Sequence, residues 1–179
     1  LHLMPAGERA KTWAAVSRLL RAMLRQGLGR DAALLAMGGG SLTDAAGFAA
    51  AVYMRGIAWL SLPTTMVGQV DAGIGGKTAL DLGAGKNLVG AFHQPRLVLC
   101  DLATLATLPA RELRAGLAEV VKYGIIYDAA LFKRLERDIE KLLRREPRAL
   151  AEVVARCCEI KAEVVRQDET ESGLRAILN

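Results

Sequence analysis

Cysteine, histidine and aromatic residues are scarce in this chain: 3 Cys, 2 His and 4% aromatics in 179 residues. Cys100, Cys157 and Cys158 show the spacing of neither a zinc cluster nor a disulfide framework, which indicates a reducing, cytoplasmic setting. The low aromatic content argues against a stacking platform for nucleic acid. His2 and His93 are isolated and are predicted to be non-ligands, because neither has a partner at metal-ligand spacing.

Long hydrophobic runs are missing as well. The apolar stretches 32–37 and 57–62 stop well short of the roughly 20 residues that a membrane helix needs, so we predict buried strands and no membrane association. No initiator Met or signal-like segment precedes Leu1, and the chain is therefore expected to begin within a fold.

The residues that are present indicate a globular chain with a basic surface. Hydrophobic residues make up 52% of the sequence, which is enough for a core, and the formal net charge is +5. Because Lys and Arg are spread over the predicted helices and do not form one tract, the sequence allows either a solvated basic surface or a site for a phosphorylated or carboxylated small molecule.

The order of predicted elements indicates an α/β fold. Apolar residues recur at helical spacing over 13–24, and Gly27 is placed to end that helix in the left-handed conformation. Short apolar strands at 32–37, 57–62 and 97–100 alternate with helices, one of them at 44–53, which is typical of a parallel sheet covered by helices. We predict the glycine-rich segment 70–90 to be a long, irregular, ligand-binding loop.

The pattern changes at Pro109. Helical periodicity continues through 117–123, 130–143 and 150–165 without strand-like runs, and proline suits the first turn of a helix. The sequence therefore predicts a partial α/β domain over 1–108 and a partial all-helical domain over 109–179.

The glycine turn Gly38-Gly39-Gly40-Ser41 follows a predicted strand and precedes a helix. Main-chain amides there can approach a pyrophosphate, with the favourable charge of a helix N-terminus behind them. The turn lacks the GxGxxG spacing, so a tight structural turn is the alternative. Asp44, Thr64 and Thr65 favour the ligand site because they follow neighbouring strands.

A second glycine motif, Gly75-Gly76-Lys77-Thr78, only partly matches a P-loop. The position of the required earlier glycine is occupied by Gln69, which argues against a P-loop nucleotidase. Lys77 and Lys86 are predicted to neutralise anionic groups of a substrate or, alternatively, to lie in solvent. Asn87 either positions a hydroxyl group or closes a turn.

Glu119 and Lys122 are three residues apart on a predicted helix. This spacing places both side chains on one face, where an ordinary surface ion pair is the alternative to a functional site.

Taken in order, these short motifs resemble 3-dehydroquinate synthases over nearly the whole chain. The motifs are Gly7-Glu8 with Lys11, Gly38-Gly39-Gly40, Tyr53-Met54-Arg55-Gly56, Pro63-Thr64-Thr65, Gln69-Val70-Asp71, Gly75-Gly76-Lys77-Thr78, Gly85-Lys86-Asn87, Gly90-Ala91-Phe92, Leu117-Ala118-Glu119-Val120-Val121-Lys122, and Gly173-Leu174-Arg175 with Leu178-Asn179. The resemblance implies an NAD-binding α/β domain followed by a helical domain for metal and substrate.

The resemblance also implies a set of site residues. Cofactor contacts would be Glu8, Lys11, Gly39, Gly40, Ser41, Asp44, Thr64, Thr65, Lys77, Lys86, Thr104 and Thr107. Substrate and catalytic contacts would be Asp71, Lys77, Asn87, Lys122, Lys161, Arg175 and Asn179. Arg55 would reach the substrate phosphate of a neighbouring subunit, which implies a homodimer, and Glu119 would be the first zinc (or cobalt) ligand, with two histidines expected beyond Asn179.

The reaction implied by the resemblance converts 3-deoxy-arabino-heptulosonate 7-phosphate to 3-dehydroquinate and phosphate, a step of the shikimate pathway. NAD would remove and return a hydride, and zinc would act as a Lewis acid. The residues after Gly40 and the stretch 81–83 depart from the family pattern and leave room for a related sugar-phosphate cyclase of valiolone or deoxy-inosose type. Two more distant hypotheses are a metal-dependent polyol dehydrogenase and a fragment without activity of its own.

Overall fold

The computed structural model describes residues 1–83 and 85–179. The chain divides into two compact units, each made of two stretches of sequence. Unit 1 comprises Leu1–Pro63 and Gly76–Leu99, and unit 2 comprises Thr64–Gly75 and Cys100–Asn179. These are units of packing; the predicted division into nucleotide-binding and metal-binding domains at residue 108 concerns function and stays a prediction.

Unit 1 contains the predicted parallel sheet. Strands β1 (Ala33–Gly38), β2 (Ala58–Pro63) and β5 (Leu97–Val98) pair in the order β1-β2-β5, with Ala33 opposite Ala58 and Leu60 opposite Leu97. Helix α1 (Trp13–Arg25) precedes β1, and α2 (Gly40–Val52) joins β1 to β2. The prediction of an α/β fold with a parallel sheet is confirmed.

The ends of α1 follow from local chemistry. The Thr12 hydroxyl accepts a hydrogen bond from the Ala15 amide at 3.3 Å and so caps one end. At the other end Gly27 has φ +64°, as predicted for a residue that ends a helix in the left-handed region. The apolar face of α1 buries Val16, Leu19 and Met23 in the unit 1 core, which α2 and Trp59 complete.

The prediction of an irregular loop over 70–90 was wrong for most of that segment. Strands β3 (Lys77–Leu82) and β4 (Gly85–Phe92) form an antiparallel pair, with Thr78 opposite Ala91. A side chain at Gly90 would collide with the carbonyl oxygen of Thr78, so this glycine permits close pairing of strands. Glycine content was interpreted as a loop signal, although here it reflects the packing of a hairpin.

Unit 2 is helical. Its helices are α3 (Ala110–Ile126), α4 (Ala129–Leu143) and α5 (Pro147–Gln167), which contain the three predicted helical segments. Pro109 occupies the N-cap position of α3 without a side-chain hydrogen bond, the Asp128 carboxylate caps α4, and α5 begins at a proline, the residue favoured at a first helical position. In the described part of the chain, no helix is long and apolar enough to span a membrane.

The segment Thr64–Gly75 supplies part of the unit 2 core. Met66 and Val70 are fully buried and pack in the cluster that includes Leu117, Ile160 and Val164. A Cβ on Gly116 would collide with the side chain of Met66, so glycine is required for α3 to approach this segment. A short π-helical turn at Gly68–Ala72 follows, and it carries Asp71.

Candidate active site

In unit 1, the glycine turn leads from β1 directly into α2. Gly39 is the N-cap of α2 and provides no side-chain cap, and its carbonyl accepts the Leu42 and Thr43 amides at 2.9 and 3.1 Å. A Cβ on Gly38 would lie 2.8 Å from the side chain of Leu42, so a larger residue would have to displace that leucine. The uncapped helix start after a parallel strand fits the pyrophosphate of a dinucleotide.

Beside this helix, a buried lysine is held by side chains from two other elements. Lys11 is 4% exposed, and its Nζ donates to Asp44 Oδ2 at 2.8 Å and to the Asn87 side-chain oxygen. Asn87 adopts φ 59°, and its main-chain N–H donates to Asp81 Oδ1 at 2.9 Å. We call Glu8, Lys11, Asp44, Asp81, Lys86 and Asn87 the unit 1 cluster.

Carboxylates outnumber cations in the unit 1 cluster. The hydrogen bond from the Asn87 amide holds the pKa of Asp81 below its usual value, and the charges of Lys11 and Lys86 act in the same direction. Lys86 also lies 3.6 Å from Glu8. Carboxylate oxygens accept hydrogen bonds, so this cluster suits a partner with hydroxyl groups, such as a ribose.

In unit 2, the turn at Gly68–Ala72 presents Asp71 to a buried lysine and a buried tyrosine. Lys161 Nζ donates to the main-chain oxygen of Asp71 at 2.7 Å and also pairs with its carboxylate. The Tyr123 hydroxyl donates to Val70 O at 3.1 Å and lies 3.3 Å from Asp71 Oδ1. These residues, with Glu119, Lys122 and Arg175, form what we call the unit 2 cluster.

Burial and charge set the protonation states of these groups. Burial raises the pKa of Asp71, but the charge and hydrogen bond of Lys161 outweigh it, and the net pKa is lowered. The pKa of Lys161 is lowered by burial first and by the neighbouring cations Arg175 and Lys122, against the attraction of Asp71. Burial raises the pKa of Tyr123, so its hydroxyl stays a hydrogen-bond donor.

Arg175 is held in place from several sides. It is 1% exposed, and its guanidinium donates to Gly75 O at 2.8 Å and to Glu169 O at 2.6 Å. Gly75 has φ +90°, and a Cβ there would lie 2.5 Å from Arg175 Nη2, so glycine is needed for this contact. The Asp168 carboxylate accepts the main-chain N–H groups of Ser172, Gly173 and Arg175 and orders the turn that carries the arginine.

Glu119 and Lys122 lie on one face of α3, as their spacing predicts. Lys122 Nζ is 2.5 Å from Glu119 Oε2 and donates to Leu178 O at 2.6 Å. The Glu119 Oε2 atom is buried, and the ion pair with Lys122 is made without hydrogen-bond geometry. Among residues 1–83 and 85–179, no group of three His, Cys, Asp or Glu side chains is placed to hold a metal ion. These residues alone do not form a zinc site.

The remaining predicted residues are distributed over both units. Thr65 Oγ1 accepts the Gly68 amide at 3.0 Å, Thr104 Oγ1 accepts from Gln69 Nε2 at 3.2 Å, and Asn179 donates to Glu171 at 2.5 Å. Thr64 is half-buried, while Thr107, Lys77 and the left-handed Arg55 are exposed. Asn87, predicted for the substrate, lies with the predicted cofactor residues Lys11 and Asp44.

Sequence reasoning missed several residues that order these clusters: Gln69, Asp81, Tyr123 and Asp168. A tyrosine on an apolar helix face signals a hydroxyl that needs a partner, and an aspartate shortly before Ser-Gly signals a capped turn. The first signal is present at Tyr123 and the second at Asp168. The partners of Tyr123 are more than 50 positions away, and local patterns do not identify them.

Comparison with known proteins assigns a family to the chain. The family model described as 3-dehydroquinate synthase N-terminal matches residues 1–115, and the one described as 3-dehydroquinate synthase C-terminal matches residues 116–179. The 3-dehydroquinate synthase of Pelobacter propionicus is 54% identical over 179 residues, which are 100% of this chain and 50% of that protein. The chain thus spans about half the length of such curated relatives.

Two solved structures are similar to nearly the whole chain. The 2-epi-5-epi-valiolone synthase of Streptomyces hygroscopicus subsp. jinggangensis, solved with NAD+ and Zn2+ bound, is 39% identical with a TM-score of 0.93, over 98% of this chain and 49% of that one. A 2-deoxy-scyllo-inosose synthase complexed with carbaglucose-6-phosphate, NAD+ and Co2+ is 33% identical with a TM-score of 0.89, over 97% and 48%. Because the two family models together match all of residues 1–179, the chain belongs to the 3-dehydroquinate synthase family.

Proposed function

We propose that the protein containing this chain is a 3-dehydroquinate synthase of the shikimate pathway. It converts 3-deoxy-arabino-heptulosonate 7-phosphate to 3-dehydroquinate and phosphate, with NAD and a divalent metal, zinc or cobalt, as cofactors. Support comes from the family membership and from structural relatives solved with NAD+ and with Zn2+ or Co2+.

The observation that carries the choice of substrate is the excess of cations in the unit 2 cluster. Lys122, Lys161 and Arg175 are close enough for the charges of two to lower the pKa of the third, and Asp71 is the buried carboxylate among them. Such a site is suited to a substrate with more than one negative group. The heptulosonate phosphate carries both a carboxylate and a phosphate.

Each group of the two clusters has a proposed role. Asp44 and Lys11, with the start of α2, hold the dinucleotide. Lys161 and Lys122 hold substrate charge, and Tyr123 orients Asp71, whose anionic carboxylate hydrogen-bonds substrate hydroxyls. When bound, NAD supplies a reversible hydride acceptor and the metal supplies a Lewis acid. Glu119 contributes one metal ligand; Arg55 reaches a second subunit of a homodimer.

A second candidate function is a cyclase of valiolone type. The observation in its favour is the TM-score of 0.93 to a valiolone synthase. Of the two substrates, only the heptulosonate phosphate carries a carboxylate. Arg175, the buried arginine of the unit 2 cluster, is suited to bind that group.

Turnover by the full-length protein separates these functions. With NAD and zinc present, we expect phosphate release from the heptulosonate 7-phosphate without net NADH, and little release from a heptulose 7-phosphate that lacks the carboxylate. Preferential turnover of the second compound would favour the valiolone type. Net NADH formation from glycerol would indicate a polyol dehydrogenase.

A further inference from the structure

Two of the three cysteines share one hydrogen-bond acceptor in unit 2. Cys100 Sγ lies 3.7 Å from the carbonyl oxygen of Gln69, and Cys158 Sγ lies 3.5 Å from the same atom. The two sulfurs are therefore neighbours around one oxygen atom, and both thiols are partly exposed. Cys157, although next to Cys158 in sequence, is fully buried in the unit 2 core.

The shared contacts make the two thiols unequal. The neighbouring Cys100 thiol lowers the pKa of Cys158 and outweighs burial, which raises it, and the charge of Lys161 acts in the lowering direction. The same pairing raises the pKa of Cys100, with burial adding to it. Cys158 is therefore the first to become a thiolate, which is the reactive form, and Cys100 is the neighbouring thiol that can resolve it.

We propose that Cys100 and Cys158 form a peroxide-sensitive thiol pair that closes to a disulfide. The Cys158 thiolate attacks one oxygen of hydrogen peroxide, the O–O bond breaks, and a sulfenic acid and hydroxide form. The Cys100 sulfur then attacks the Cys158 sulfur, and the S–O bond breaks with loss of water after proton transfer. In total, two thiols are oxidised by two electrons and one peroxide is reduced to two waters.

This site lies directly beside the unit 2 cluster. The shared acceptor, Gln69, is two residues before Asp71 in the same turn, and Cys158 is one helical turn before Lys161. Closing the disulfide removes both S–H donors from the Gln69 carbonyl. Oxidation therefore removes hydrogen bonds that hold the segment in which Asp71 contacts Lys161.

The test uses the full-length protein treated with hydrogen peroxide, alkylated to block free thiols and digested with trypsin without reductant. Cleavage after the Arg and Lys residues gives peptides 97–111, with Cys100, and 157–161, with Cys157 and Cys158. We expect these peptides to be joined after oxidation, with loss of two alkylatable thiols, and to separate again after dithiothreitol.

Three variants assign the bond. Cys157→Ala is the matched control and is expected to keep the joined peptides, whereas Cys100→Ser and Cys158→Ser are expected to lose them. Serine keeps an O–H donor for Gln69, so these variants separate sulfur chemistry from structural support. In Cys100→Ser, Cys158 is expected to stop at the sulfenic acid, which dimedone labels.

Two results would overturn the proposal. One is a wild-type protein whose two peptides stay separate and fully alkylated under peroxide. The other is a bond that involves Cys157, shown by its loss in Cys157→Ala. If a serine variant fails to fold, the wild-type and Cys157→Ala digests decide between these outcomes.

Discussion

Both units bury a lysine against a carboxylate, but most of the further charged side chains are acidic in the unit 1 cluster and basic in the unit 2 cluster. The Lys11 and Asp44 side chains are 5% and 20% exposed, and those of Lys161 and Asp71 are 8% and 24% exposed, so the pairs are almost equally buried. In the unit 1 cluster, Asp81 lies near Lys11 and also near Glu8 and Lys86, so two carboxylates and one cation are added to the pair. In the unit 2 cluster, Lys161 lies near two further cations, Arg175 and Lys122, and one carboxylate, Glu119, is paired with Lys122.

The neighbours of a buried ion pair, more than its own geometry, decide what it can bind. A cluster rich in carboxylates offers acceptors for hydroxyl groups, and one rich in cations offers charge for phosphate and carboxylate. The unit 1 cluster should therefore act on affinity for NAD, and the unit 2 cluster on turnover. Each of the following variants tests one side of that distinction in the full-length protein.

The largest effect is expected from Lys161→Met. Removing the cation leaves the buried carboxylate of Asp71 without its main partner, which should cost about 3 kcal/mol of unfolding free energy. Turnover should fall roughly 10²–10³-fold, the range typical of losing one preorganised hydrogen-bond donor in an active site. Urea unfolding measures the loss of stability, and phosphate release measures the loss of turnover. Lys133→Met, at an exposed position of α4, is the control, and equal behaviour of both variants would contradict the prediction.

Asp44→Asn should weaken NAD binding and leave turnover at saturating NAD unchanged. The variant removes the charge that faces Lys11, and loss of one charge-assisted hydrogen bond corresponds to about a tenfold higher Kd. Calorimetric titration with NAD measures it against Asp31→Asn, at an exposed position. A drop in kcat with unchanged Kd would show that the two clusters are not divided in this way.

Tyr123→Phe should affect the unit 2 cluster only. The variant removes the donor to Val70 and Asp71, at a cost of about 1 kcal/mol. Burial raises the pKa of Asp71, while Lys161 and this tyrosine lower it, so the variant should move the acid limb of the pH profile of kcat/KM to higher pH. Tyr127→Phe, 43% exposed at the end of α3, is the control. An unchanged acid limb would argue against a role for Tyr123 in holding Asp71.

The smallest effect is expected from Asp168→Asn. Main-chain hydrogen bonds from Arg175, Ser172 and Gly173 lower the pKa of Asp168 from 3.8 to about 2. Because the folded pKa is depressed, the stabilisation is complete above the unfolded value and is lost as pH falls from 3.8 towards about 2. The variant should be less stable than wild type at neutral pH, and the difference should shrink over that range.

Urea unfolding at several pH values tests the Asp168 prediction. Glu136→Gln, an exposed carboxylate of α4, should show no such convergence with wild type. A pH-independent difference for Asp168→Asn would mean that hydrogen-bond geometry alone, and not charge, is lost.

The sequence predicted the elements better than the clusters. Helix α1, the parallel strands and the helices of unit 2 carry local periodicity, and their existence was predicted correctly. The hairpin β3–β4 was missed because Gly85, Lys86, Asn87 and Gly90 interrupt the alternation that marks a strand. Lys161 and Asp71 are 90 positions apart, so their direct contact follows from tertiary packing that spacing does not encode.

The two-part composition of unit 2 sets an order on synthesis. Met66 and Val70 leave the ribosome well before Ile160 and Val164, the α5 residues that pack in their cluster. During that interval the nascent chain exposes the apolar segment Thr64–Gly75, because the helices that will bury it have not yet been made. Splitting the gene after residue 108 would leave that segment exposed, because the unit 2 core would be divided between the two products.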